Sequence, residues 1–201
     1  MKRVEIESKI KKIIEKRGKG IIHFAEDFLA IGNSASVNRA LSRLSQKEII
    51  IRLAQGIYIY PKIDDNLGVL YPSLDEIART IAERDRARIL PTGDLAMNRL
   101  GISTQIPLNI VYLTDGSPRI IKVGKRSIKF KKTTPKNLSV KGNISGLTIQ
   151  ALKKIGKGNI TEIEKKKIQE ALLKENPDIL IEDMKLVPAW IREVMLEILH
   201  Y

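Results

Sequence analysis

Between Asn33 and Pro61 the hydrophobic period of the chain changes, and that change narrows the folds open to it. Val37, Ala40, Leu41 and Leu44 recur at helical spacing. Ile49, Ile50, Ile51 and Leu53, then Ile57 to Tyr60, are β-branched and aromatic runs around Ala54-Gln55-Gly56, which predicts a hairpin with Gly56 at positive φ. A helix over about Ser34 to Gln46, capped by Asn33 or Ser34, therefore runs directly into a basic hairpin. Winged helix-turn-helix domains meet DNA with this succession.

On that reading the early residues Ser34, Ser36, Asn38 and Arg39 face base edges, and Ser42 and Arg43 lie nearer the backbone. Asn pairs with adenine and Arg with guanine through two hydrogen bonds each, worth roughly 1–3 kcal/mol of discrimination. Arg52 and Gln55 in the hairpin are expected near phosphate. The competing reading is a plain solvated face. Alternation of Ile57 and Ile59 with Tyr58 and Tyr60 predicts one pair in the core and one at the surface.

Upstream, Val4, Ile6, Ile10, Ile13 and Ile14 recur at helical spacing among Lys9, Lys11, Lys12, Lys16 and Arg17, an amphipathic first helix ended by Gly18 and Gly20. A second short helix is expected from Phe24 to Ile31, with Phe24, Phe28 and Leu29 inward. Asp64-Asp65-Asn66 and Gly68 mark a polar linker or loop. The expected organisation is α+β in two domains. Residues 1–62 form a winged helix-turn-helix; residues 63–201 form a mixed domain with a small antiparallel sheet and C-terminal helices.

Charge is unevenly placed in this chain of net charge +13. Residues 1–60 carry twelve basic and six acidic side chains; residues 119–141 carry nine basic and no acidic ones. Residues 61–118 and 142–201 are slightly acidic and neutral, so the excess lies in two blocks. Such blocks suit a polyanion, because each phosphate neutralised releases condensed counterions. There are no cysteines, which removes disulfides and thiolate metal sites and fits a reducing cytoplasm. No apolar run approaches the ~20 residues of a membrane span, and MKRVEIESK lacks the apolar core of a signal peptide. A cytoplasmic protein is expected.

The second block reads as two strands, Arg119 to Val123 and Ser127 to Lys132, after a hairpin turn at Asp115-Gly116-Ser117-Pro118. Ile128 and Phe130 alternate with Lys129 and Lys131, so one face is apolar and the other basic. Lys122, Lys125, Arg126, Lys129, Lys131 and Lys132 make a second basic surface. It extends a DNA footprint, meets RNA or an acidic protein partner, or guards a sheet edge against aggregation.

Ser73 with Glu76 forms a capping box for a helix through Ile77 and Ile81, and Thr161 with Glu164 forms another. Leu147 to Ile155 and a segment after Pro188 are further helices, the last with an apolar stripe of Trp190, Ile191, Val194, Met195, Ile198 and Leu199. His23 and His200 are the only histidines and lie far apart in sequence; no metal-ligand spacing or nucleophile motif uses either. The acids Asp75, Glu76, Asp94 and Asp115 each have a simpler role as helix start or turn. Neither an enzyme nor a cofactor is expected.

The helix Val37-Asn38-Arg39-Ala40-Leu41-Ser42-Arg43-Leu44 and its hairpin Gly56-Ile57-Tyr58 resemble the winged helix of AbiEi-type antitoxins of type IV toxin–antitoxin systems. Leu90-Pro91-Thr92-Gly93, Leu100-Gly101-Ile102-Ser103-Thr104-Gln105-Ile106-Pro107, Tyr112-Leu113-Thr114-Asp115-Gly116 and Pro188-Ala189-Trp190 resemble related AbiEi-like proteins of uncharacterised families. The resemblance implies a transcriptional autorepressor that binds inverted repeats in its own promoter, double-stranded DNA, and is encoded beside a nucleotidyltransferase-like toxin. One departure stands out: Gln46-Lys47-Glu48 occupies the place where such domains often have a glycine.

Overall fold

A computed structural model of the chain describes residues 3–200, with side chains placed from Glu5 onward. The fold is α+β, with eight α-helices and three small sheets among the described residues. Two compact units divide it: Met1–Thr80 with Ile121–Lys125, and Ile81–Ile120 with Arg126–Tyr201. The division expected after residue 62 lies inside the first of these.

The first unit runs α1 (Arg3–Arg17), β1 (Ile22–Phe24), a 3-10 turn (Ala25–Phe28), α2 (Ser34–Gln46), β2 (Ile51–Ala54) and β3 (Ile57–Ile59). Ile6, Ile10 and Ile14 of α1 pack with Val37, Ala40, Leu41 and Leu44 of α2, and Phe28, Ile50 and Tyr58 complete this core. Each face is written in the helical spacing, so burial of these aliphatics rather than propensity holds the pair together. Val4, expected on the same stripe, has its side chain outside the described residues.

Three expectations change here. The helix expected from Phe24 to Ile31 is strand β1 followed by the single 3-10 turn. Phe24 pairs with Ile57 in the sheet, and its N–H is taken by the Asp27 carboxylate at 3.1 Å, leaving too few residues before Asn33 for more than one turn. Leu29, expected inward, is exposed. In β3 there is no surface pair: Ile57, Tyr58 and Ile59 are all buried. The strand is the middle one of the order β1-β3-β2, antiparallel to both neighbours, so neither edge is free and both faces are covered. Asp64-Asp65-Asn66 and Gly68, expected as a polar linker or loop, are the turn of a two-stranded ribbon of β4 (Lys62–Asp64) and β5 (Gly68–Leu70). The Asp64 carboxylate shapes its turn by accepting the N–H groups of Asn66 and Leu67 at 2.9 and 3.0 Å.

Helix α3 (Leu74–Arg84) crosses the division; Ser73 caps it by accepting the Glu76 N–H at 3.1 Å. The second unit continues with β6 (Ile89–Pro91), α4 (Gly93–Arg99), β7 (Asn109–Thr114), β8 (Arg119–Val123) and β9 (Arg126–Lys132). The strand order is β6-β7-β9-β8. The small sheet is therefore not wholly antiparallel: β6 and β7 are antiparallel, but β7 and β9 run parallel from Asn109 opposite Ser127 to Thr114 opposite Lys132. Asp115-Gly116-Ser117-Pro118 does not close a hairpin, because β9 lies between β7 and β8. Packing decides the pairing. Ile110 and Tyr112 find the buried Ile128 and Phe130 directly across, and the Tyr112 and Phe130 rings stack at 6.1 Å.

A second 3-10 turn (Pro135–Leu138) leads to α5 (Asn143–Ile155), α6 (Glu162–Leu172), α7 (Pro177–Met184) and α8 (Ala189–His200). Thr161 and Glu164 form the expected capping box of α6. Asn176-Pro177 separates α6 from α7 and starts the latter: Asn176 caps it, and proline at the first position loses no bonded N–H. The α8 stripe is core. Ile191, Met195 and Ile198 pack with Ile149, Leu152, Ile168, Leu172, Leu180 and Met184, with Trp190, Val194 and Leu199 at its margin.

Candidate nucleic-acid interface

The burial of one face of α2 dictates what the other can present. With Val37, Ala40, Leu41 and Leu44 inward, the outward ridge is Ala35, Asn38, Arg39, Ser42 and Gln46, all exposed. Helix α2 contains no acidic residue. Asn33 caps it by accepting the Ser36 N–H at 2.9 Å, which leaves Ser36 only half exposed beside the cap. Asn38 donates to the Ser34 hydroxyl at 3.3 Å, so these two lie together on the first turns. Arg39 is exposed and makes no hydrogen bond or ion pair among the described residues.

Arg43 is differently placed. Its Nε donates to Glu7 of α1 at 2.6 Å, and Lys47, one turn later, donates to the other oxygen of the same carboxylate at 2.6 Å. The Lys47 ammonium, and then the Arg43 guanidinium, hold Glu7 below the usual carboxylate range. Ala35 and Gln46 on the exposed ridge, and Lys47 beside Glu7, are residues that the sequence reading passed over. The 35, 39, 42, 46 spacing was the available signal for the first two.

The hairpin of β2 and β3 is short. Ala54 pairs with Ile57, leaving a turn of Gln55 and Gly56, and Gly56 has φ +71° as this tight reversal requires. Gln55 is exposed at the tip; Arg52 is exposed on β2, its Nε 3.4 Å from the Ala54 carbonyl. Between α2 and β2, Glu48 stands in the left-handed region at φ +58°, the position where a glycine is more usual.

In the second basic segment Lys122, Lys125, Arg126, Lys129 and Lys131 are exposed. Lys122 and Lys125 fall in the first unit, and Arg126, Lys129, Lys131 and Lys132 in the second. Lys129 and Lys131 stand opposite Val111 and Leu113 of β7, on the face turned away from Ile128 and Phe130. Lys132 is exposed too, but its ammonium donates to the Asp115 and Gly116 carbonyls.

The motif residues of the middle region are structural. Arg88 binds Asp115 twice, through its N–H and Nε, each at 2.8 Å, and reaches the Leu138 carbonyl at 3.2 Å. Those contacts hold Asp115 below its ordinary range, the Arg88 side chain first. Thr114 donates to the Arg88 carbonyl at 2.9 Å and accepts the Gly116 N–H at 3.0 Å. Asn98 ties down the loop after α4 by donating to the carbonyls of Ser103 and Gln105 at 3.2 and 3.1 Å. Arg99 donates to the Tyr112 hydroxyl at 3.3 Å.

His23 is fully buried, and burial, reinforced by Arg17, pushes its pKa down to about 4. Arg17 lies 3.4 Å from Nδ1, which acts as an acceptor, and Nε2 is buried with no partner. A neutral ring in a core has no proton to trade with solvent near pH 7. Among the described residues no three His, Asp or Glu side chains cluster to hold a metal ion, and no helix is long and apolar enough to cross a membrane.

No curated protein matches this sequence. The profile of one family matches residues 9–180, and the chain therefore belongs to DUF6088, a family of unknown function.

Proposed function

We propose that this chain binds double-stranded DNA as a winged helix-turn-helix repressor, with α2 in the major groove and the Gln55-Gly56 turn as a short wing against the backbone. The observation that carries the reading is the acid-free exposed ridge of α2, in which Asn38, Arg39, Ser42 and Gln46 offer base-pairing donors above a fully packed opposite face. The strand order β1-β3-β2 supports it, since a winged helix seats its wing between the second and third strands.

Binding to the chain's own promoter, and a role as antitoxin to a nucleotidyltransferase-like toxin, rest on the resemblance of residues 90–93, 100–107 and 112–116. Titrating the protein against a duplex from directly upstream of its gene and against a scrambled duplex, by fluorescence anisotropy, tests the reading. Arg39→Ala is expected to weaken the upstream duplex by roughly 1–3 kcal/mol and to relax sequence preference. Equal affinity of the wild type for both duplexes rejects it.

A second reading, RNA or an acidic protein as partner, is favoured by the acid-free segment 119–141. A structured RNA that outcompetes the upstream duplex for the wild type supports that reading instead.

A further inference from the structure

The α2 ridge grips a duplex only if something keeps it from gripping every duplex. Phosphate contacts raise affinity without regard to sequence, so each free cation beside a reading helix costs specificity as it adds affinity. Two of the cations on or next to α2, Arg43 and Lys47, contact the same carboxylate. Each donates to its own oxygen of Glu7, both at 2.6 Å.

Glu7 is well placed for this. It lies on α1 directly beside Ile6, whose side chain is packed into the α1/α2 core, so the carboxylate is anchored at the edge of a rigid interface rather than on a loose surface. Its side chain is only 15% exposed. By contrast, the other α1 carboxylates with paired cations, Glu5 and Glu15, are nearly half exposed and bond neighbours on their own helix.

Resting on the DNA-binding reading above, we propose that Glu7 is a specificity-determining residue that withholds Arg43 and Lys47 from phosphate. The duplex is then read by Asn38, Arg39, Ser42 and Gln46, and indiscriminate attachment through the C-terminal half of α2 is suppressed. Glu7 acts here as an internal substitute for a DNA phosphate: an anion with two acceptor oxygens, already in place.

Salt titrations on the full chain test this, with the upstream and scrambled duplexes and the Glu7→Gln, Lys47→Ala and Glu15→Gln variants. Glu7→Gln is expected to bind the scrambled duplex more tightly at low salt and to lower the ratio of upstream to scrambled affinity. Its log affinity against log salt steepens by about 0.9 to 1.8, an additional loss of about 3- to 12-fold between 50 and 200 mM. Glu15→Gln, which removes the same charge elsewhere on α1, leaves the slope unchanged. Lys47→Ala, which requires no disturbance of the α1 carboxylate, also leaves it unchanged, because that ammonium is already withheld.

A Lys47→Ala slope flatter by about 0.9, or an unaltered slope for a folded Glu7→Gln, overturns the inference while leaving DNA binding intact. A wild type that does not distinguish the two duplexes removes the underlying reading and this inference with it.

Discussion

The Asp183 carboxylate, fully buried in α7, accepts the Ser145 hydroxyl at 2.5 Å and joins α7 to the start of α5. Its oxygens also take the N–H groups of Lys141 and Gly142, both at 2.8 Å, while Glu175 takes those of Ile144 and Ser145. Gly142 has no side chain with which to cap α5, so two carboxylates distant in sequence do so. Asp183→Ala strips acceptors from buried N–H groups and is expected to cost about 3 kcal/mol; Asp183→Asn, which keeps one oxygen, costs less. Urea denaturation followed through Trp190, the only tryptophan, measures both.

His23 gives the protein a pH dependence of definite sign. Its pKa is about 4 when folded, against about 6.5 when unfolded, so between these values the unfolded chain binds the extra proton. Stability is complete above pH 6.5, declines as pH falls towards 4, and levels off below, with a loss of up to about 3 kcal/mol from this group. A His23→Gln variant is expected to lack that component. Denaturation midpoints at pH 7 and pH 5 for the two proteins provide the check, and parallel declines count against it.

Glu48 holds a left-handed backbone conformation that an L-residue adopts at a cost. Glu48→Gly is expected to stabilise the protein by about 0.5–1 kcal/mol, or about 1–4 °C in Tm. A lower Tm would mean that the Glu48 side chain contributes more than its backbone costs.

Lys129 and Lys131 project from the sheet with no structural partner among the described residues. Changing both to alanine is expected to move stability by no more than about 0.5 kcal/mol. If the sheet adds to the DNA footprint, the same change flattens the salt dependence by about 1.8. Unchanged slope with unchanged stability assigns these lysines to guarding the sheet instead.

What could be read from the sequence follows the range of the interactions involved. Helix α2, thirteen residues with Asn33 as its cap and four buried positions, is encoded by local spacing and a local cap. The Thr161–Glu164 box is equally local. The β7/β9 pairing is not, since the side chains that choose it, Tyr112 and Phe130, are separated by a turn that on its own signals a hairpin. Nor is the Glu7 contact with Arg43, 36 residues away, or the burial of β3 on both faces. Site residues chosen by helical phase, Asn38, Arg39 and Ser42, are exposed as their phase requires. Arg43, chosen on the same helical face, and Lys132, chosen by charge, turn out to be engaged within the fold.

The strand order β6-β7-β9-β8 also constrains how the chain can be made. As synthesis proceeds from the N-terminus, β6 and β7 leave the ribosome with one flank of β7 open, and β8, which follows next, is not the strand that closes it. That flank waits for β9. For that interval the nascent chain carries an unsatisfied row of amides and carbonyls, open to the same strand of another copy.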